Sequence, residues 1–238
     1  MSPVIKMDWR LDLDGRHVVV TGGTGGIGGV VVDAIAALGA VCHLPVRERS
    51  PRSIEGRLRF VPGVDLTDER AVASFFADCP PLWASVHLAG GYGAATFLET
   101  RLEDLRRQLD LNLVTAFLCC REAARNIRER GGGLGGRLVN VSSRAAALPA
   151  GGSVAYTVSK AAVSALTQTV ADELGPHAIS VNAILPSTID TPANRAAMPG
   201  ADHDRWPKPA EIAQAIAWLI SPQQTVTSGA LVPVYGRA

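Results

Sequence analysis

No sign of charge prevails in the 238 residues: 23 Lys and Arg stand against 22 Asp and Glu, a formal net charge of +1. Nucleic-acid binding needs a clustered excess of Lys and Arg to meet phosphates, so nothing here points to that class. Long hydrophobic runs are also missing, and none reaches the ~18 residues that span a membrane. The first sixteen residues carry Lys6, Asp8, Arg10, Asp12 and Asp14, which leaves no apolar core for a secretory signal. Cysteine is scarce. Cys42, Cys79, Cys119 and Cys120 sit in apolar segments, with no C-x-x-C and no His at zinc spacing. They read as buried reduced thiols, so no metal site is expected and a reducing, cytoplasmic setting is. Disorder is excluded in turn, because 47% of the residues are hydrophobic and 19% charged.

What is plentiful is glycine, with 24 residues, above the usual ~7% of a chain. Such an excess points to special turns or close backbone approaches. At about 150 residues per domain the length favours one large domain over two small ones, and no shift in composition marks a boundary. Short apolar runs alternate with helical periodicity. The pattern predicts strands over 17–20, 41–46, 59–61, 83–88, 138–141, 178–185 and 230–235, with helices over 27–38, 65–76, 102–130, 153–174 and 209–220. The run of five glycines and a leucine at 131–136 stops the longest helix. Strand–helix alternation implies right-handed crossovers, and so a single α/β domain over 1–238: a Rossmann-type doubly wound parallel sheet with helices on both faces. Ligands of such sheets bind at the carboxyl ends of the strands, so function is sought in the residues just after each strand.

After the first strand comes Thr21-Gly22-Gly23-Thr24-Gly25-Gly26-Ile27-Gly28. Glycines here allow positive φ and close approach to a pyrophosphate, and the following helix aims its N–H groups and positive dipole end at that phosphate. Gly23, Gly25 and Gly28 fit G-x-G-x-x-G in the strand–turn–helix context that gives the motif meaning. Further on, Tyr156 and Lys160 are separated by one helical turn and so share a face. A phenol with a pKa near 10 is a poor acid–base catalyst at neutral pH, and a neighbouring ammonium is expected to lower it. Ser143 ends a strand thirteen residues before Tyr156, where its hydroxyl can bond a substrate oxygen. Asn112 places an amide inside the long helix, where it is disfavoured.

Taken together, these residues resemble the classical short-chain dehydrogenases/reductases over essentially the whole chain. The glycine turn also fits the T-G-x-x-G-x-x-G spacing of the extended members, but about fifty residues after Leu185 are too few for their substrate domain. The resemblance implies an NAD(P)-dependent oxidoreductase that moves a hydride between the nicotinamide and a carbonyl or secondary alcohol. It implies Tyr156 as general acid/base, Ser143 orienting the substrate oxygen, Lys160 depressing the Tyr156 pKa and holding the ribose, and Asn112 holding a relay water. The cofactor contacts it implies are Gly22, Thr24, Gly25, Gly26, Ile27 and Gly28 of the turn, then Asp65, Leu66, Ala89, Gly90, Pro186, Ile189 and Thr191, with Tyr156 and Lys160. Two departures stand out. His87-Leu88 replaces two asparagines before Ala89-Gly90, and Ser187 replaces a glycine after Pro186. His87 reads as structural.

The position for a ribose-binding acid at the end of the second strand is Val46. Arg47 follows it and Arg49 is two further on, which favours NADP over NAD; NAD stays possible, with Glu48 next to Arg47 as the alternative ribose partner. The helix from Ser153 shows two apolar stripes. The stripe of Val163, Leu166, Val170 and Leu174 is assigned to the sheet, and that of Val154, Val158, Ala161 and Ala165 to another subunit, giving a homodimer or homotetramer. Residues 191–208, with Pro192, Pro199, Gly200, Trp206 and Pro207, are expected to form a mobile lid. The alternative function is a catalytically inactive dinucleotide-binding sensor or scaffold.

Overall fold

A computed structural model describes residues 11–48 and 53–237; Lys6, Asp8, Arg10 and Arg49 lie outside them. In chain order the elements are β1 His17–Thr21, α1 Gly28–Ala37, β2 Val41–Pro45, β3 Ser53–Glu55, β4 Leu58–Val61, α2 Glu69–Asp78, β5 Ala84–His87 and α3 Leu102–Leu109. They continue with α4 Thr115–Arg130, β6 Gly136–Val141, α5 Arg144–Ala147, α6 Val154–Leu174, β7 Ile179–Pro186, α7 Pro192–Ala197, α8 Pro209–Leu219 and β8 Leu231–Val234. The sheet order is β3-β4-β2-β1-β5-β6-β7-β8, and every pair is parallel except β3 with β4. The order reverses between β1 and its two neighbours β2 and β5, which opens the ligand crevice of a doubly wound sheet above β1.

Alternation along the strands divides the core between two faces. Val18 and Val20 of β1 pack with Val31 and Ile35 of α1 and with Ile212 and Ile216 of α8. Val19 points the other way, toward Phe76 of α2, Ile127 of α4, and Leu138 and Val181 of β6 and β7. All these side chains are buried, so both faces are covered, as a parallel sheet requires.

Four details depart from the sequence pattern. The three residues of β3 form an antiparallel edge too short to show a period. The helix predicted from Asp65 begins at Glu69, because the Asp68 carboxylate accepts from the N–H groups of Arg70 (2.8 Å) and Ala71 (3.1 Å) and caps it there. The helix over 102–130 contains a π-helical turn at Asp110–Val114, with Asn112 inside it. On α6 the sheet-facing row is Ser159, Val163, Thr167 and Ala171, with Lys160 and Ser164 beside it. Leu166, Val170 and Leu174 are only half-buried. Apolarity pointed to the wrong row because Ser and Thr go inside here with their hydroxyls satisfied on their own helix, as in Thr167 Oγ1 to the Val163 carbonyl at 2.8 Å.

Candidate active site

The turn after β1 is built for backbone approach. Gly22 has φ +67°, and a Cβ there would come 2.8 Å from the Ala89 nitrogen. A Cβ on Gly28 would lie 2.1 Å from the Gly22 carbonyl oxygen, so α1 enters against the turn only with glycine at that position. No side chain caps α1 and its first turn carries no acid, which leaves its N–H groups and dipole for an anion. Beside the turn, the Thr21 hydroxyl accepts from the Ala89 N–H at 3.3 Å and fixes the exit of β5.

Past β5 the chain passes through a slot. A Cβ on Gly90 would stand 2.6 Å from Asn112 Oδ1 and 3.3 Å from Lys160 Nζ. The Asn112 carboxamide is committed to protein partners: it accepts from Gly91 N (3.0 Å) and approaches the Gly91 carbonyl (3.0 Å), Gln108 Oε1 (3.1 Å) and Ser159 Oγ (3.0 Å) as donor. The Asn112 side chain thus clamps the loop after β5 to α6.

Ser142 and Ser143 end β6 with different roles. The Ser142 hydroxyl donates to the Lys160 carbonyl (2.8 Å) and ties α6 to the strand. Ser143 caps α5, accepting from the Ala145 N–H (3.2 Å), and shares the cleft with the Tyr156 phenol. Lys160 Nζ donates to the Val141 carbonyl (2.8 Å) and lies 6.0 Å from the centre of the Tyr156 ring. These groups line a cleft of about 980 Å³ that also touches Gly90, Tyr92 and Ile189. Burial pushes the Lys160 ammonium down to about 8. It also raises the Tyr156 phenol, against the lowering pull of Ser143. The rise in the phenol comes from withdrawal from water, with the Lys160 ammonium 6.0 Å from the centre of its ring.

The remaining predicted residues are spread around this centre. Pro186 and Ile189 line the cleft; Thr191 does not, and its hydroxyl caps α7 by accepting from Asn194 N (3.2 Å). The Ile189 carbonyl accepts from Asn194 Nδ2 (2.8 Å). Ser187 needs no glycine, because Ala178 is the non-glycine residue with positive φ among the described residues; its hydroxyl donates to the Tyr235 carbonyl (2.9 Å). Leu66 packs half-buried on the α2–α4 core. Asp65 Oδ1 accepts from Thr67 N and Oγ1, and Asp65 Oδ2 lies 3.8 Å from Arg47. Thr67 chiefly holds this carboxyl below its usual range. Val46 is buried and Arg47 is exposed at the end of β2.

His87 is structural in its contacts. Its Nδ1 lies 2.8 Å from Asn140 Oδ1 and its Nε2 2.8 Å from the Ser85 hydroxyl, all buried between β5 and β6. Sequence reasoning missed Tyr92, whose ring meets that of Tyr156 edge-on with centroids 4.9 Å apart. Its place just after a strand was the available signal. It also missed Ser159, a partner of Asn112, and Arg144, next to Ser143.

The chain matches the short chain dehydrogenase family model over residues 16–201. It belongs to the short-chain dehydrogenase/reductase family, and is an oxidoreductase working with a nicotinamide cofactor on a small molecule. It is 32% identical to L-xylulose reductase of Bos taurus over 245 residues, spanning 97% of this chain and 98% of that protein. A short-chain type dehydrogenase/reductase from Mycobacterium ulcerans superposes with TM-score 0.83 at 31% identity, covering 95% of this chain and 90% of that one. A short-chain dehydrogenase/reductase from Serratia marcescens superposes with TM-score 0.79 at 28% identity, over 94% and 98%. No helix among the described residues is long and apolar enough to cross a membrane.

Proposed function

We propose that the cleft reduces a substrate carbonyl with NADP(H), reversibly, using Ser143 and Tyr156 on the oxygen. The observation that carries this is the convergence of Ser143, Tyr156 and Lys160 on one cleft. The residues fit a dinucleotide. Gly22 and Gly28 permit the backbone approach, α1 presents an uncapped N-terminus, and Lys160 Nζ, with three N–H donors and one bond to Val141, has two left for ribose hydroxyls. When bound, the nicotinamide supplies or accepts the hydride. The Ser143 hydroxyl donates to the substrate oxygen and fixes its position. The Tyr156 phenol, kept protonated by burial, gives its proton to that oxygen, so carbonyl, hydride and proton become an alcohol. The Lys160 ammonium stabilises the phenolate left behind, which regains its proton from solvent.

NADP is the preferred cofactor in this reading: Val46 offers no carboxylate to a ribose 2′-hydroxyl, and the exposed Arg47 guanidinium stands at the end of β2 for a 2′-phosphate. Residues 191–208 cover the substrate, with Asp190 holding the segment through Arg195 (2.9 Å) and Lys208 (2.7 Å). The setting is cytoplasmic, in keeping with four buried thiols. Val158, Ala161 and Ala165 leave an exposed face on α6 for a homodimer or homotetramer; sedimentation at micromolar concentration should give more than one chain per particle.

The function is tested by following NADPH and NADH oxidation with a panel of ketones, quinones, acyl thioesters and, in reverse, secondary alcohols. Turnover that depends on Tyr156 is expected. Dinucleotide binding without turnover of any carbonyl would instead mark a sensor or scaffold.

A further inference from the structure

Arg144 follows Ser143 as the first residue of α5 and lines the same cleft. Its Nε is buried and has no hydrogen-bond partner. Among the described residues its guanidinium makes no ion pair or hydrogen bond at all; its one recorded contact is a stack over the Tyr235 ring, 5.5 Å from the centroid. Two other arginines that reach into the body of the fold have acceptors within the protein. Arg121 pairs with Glu69 and Glu122; Arg137, whose Nε is also unpartnered, still donates from both terminal nitrogens to the carbonyls of Gly136 (3.0 Å) and Gln224 (2.6 Å), whereas those of Arg144 have no acceptor. Removing a guanidinium N–H from water without an acceptor costs free energy, and proteins meet that cost where a ligand supplies the acceptor. The charges lining the cleft are Arg144 and Lys160, with no Asp or Glu among the lining residues. The guanidinium lies against the Tyr235 ring, and its two terminal nitrogens are left to donate two parallel N–H···O bonds.

We infer that Arg144 is a specificity-determining residue that recognises an oxyanion on the substrate, so that the carbonyl compound reduced here is a keto acid or keto phosphate. The inference rests on the reading of the cleft as a carbonyl-reducing site. Ser143 and Tyr156 then hold the carbonyl oxygen, while the neighbouring Arg144 holds the anionic end of the same molecule.

The test compares matched pairs. Reduction of 4-oxopentanoate is measured against its methyl ester, and of dihydroxyacetone phosphate against dihydroxyacetone, in the parent, Arg144→Met and Arg144→Lys. The parent should favour one anion over its neutral partner in kcat/KM by about 10- to 100-fold, the range of a charge-assisted bond pair; whichever pair shows it separates carboxylate from phosphate. Arg144→Met should bring that ratio close to one, and Arg144→Lys should keep part of it. A parent that treats acid and neutral compound alike, or an Arg144→Met variant with the parent's ratio and melting temperature, overturns the inference. Calorimetric binding of the same anions separates it from the reading beneath it. If the parent reduces nothing yet binds an anion in an Arg144-dependent way, the reductase reading fails and the anion site stands. If it binds neither anion, the anion site falls.

Discussion

β5, β6 and α6 carry two polar clusters a few residues apart, and the clusters are opposites. In the inner one every member finds a partner. His87 is held between Asn140 and Ser85, Cys120 Sγ donates to Asn140 Oδ1 (3.3 Å), and Asn140 Nδ2 donates to Thr167 Oγ1 (2.9 Å). Burial lowers His87 to about 4 and raises Cys120 to about 12, so neither changes charge near neutral pH. In the outer one, just past the end of β6 and two turns earlier on α6, Ser143, Tyr156 and Lys160 open onto the cleft with donors to spare. Burial brings Lys160 to about 8, inside the working range. The residue types are similar; the use of their hydrogen-bond capacity differs. A satisfied buried network fixes the strands, and one left open to the cleft is available for chemistry.

The contrast is sharpest if each cluster is broken at its centre. Tyr156→Phe removes one oxygen from the open cluster and should lower turnover by on the order of 10²–10⁴-fold, with cofactor binding and melting temperature close to the parent's. Steady-state rates within a few-fold of the parent would take Tyr156 out of the reaction. His87→Leu should do the reverse. It strands Ser85 Oγ and leaves Asn140 Oδ1 with only the weak Cys120 thiol donor, a cost of about 1–3 kcal/mol at each, while activity per folded molecule stays the same. Urea unfolding should show a loss of about 3 kcal/mol in total; a loss below 1 would mean the inner cluster is not what holds β5 to β6.

A pH profile separates the clusters without mutation. The Lys160 ammonium is the form that stabilises a phenolate, and it discharges through about 8. The reduction rate should therefore fall as pH rises through that value, by about tenfold per unit. Tyr156 is raised above its ordinary value and does not produce this limb. Because Lys160 is depressed in the folded chain, its contribution to stability is present above the unfolded pKa of about 10.4 and lost as pH falls from there to about 8. A rate that is flat from pH 7 to 9.5 would leave Lys160 without the role given to it.

The elements that impose a period or a breaker were visible in the sequence: the β1 turn, the strands of the parallel sheet and the long helices. So were the residues after the strands, including Ser143, and the Tyr156–Lys160 spacing. What escaped was set by three-dimensional pairing. A three-residue edge strand has no period. The π turn at Asn112 depends on how one amide meets Gly91 across the slot. The short helices α5 and α7 are nucleated by Ser143 and Thr191 caps, a role that a lone Ser or Thr after a strand does not announce. Spacing places Tyr156 and Lys160 together and says nothing of burial, which raises the phenol and lowers the ammonium.

The smallest expected effect lies at the adenosine end, away from both clusters. Arg47 is 81% exposed and lies 3.8 Å from Asp65, itself 46% exposed. An exposed pair of this kind contributes little to stability, so Arg47→Ala should leave the fold unchanged. A 2′-phosphate carries more charge than the Asp65 carboxylate and would compete well for the guanidinium, which can bind it with two charge-assisted bonds. Solvent weakens those bonds, so the loss should be modest: about tenfold in kcat/KM for NADPH, with that for NADH little changed. Salt should weaken NADPH binding in the parent and do so less in the variant. Two results would reverse the reading: a parent that prefers NADH, or an Arg47→Ala ratio equal to the parent's. Either would point to Glu48, the exposed neighbour, as the residue that meets the ribose.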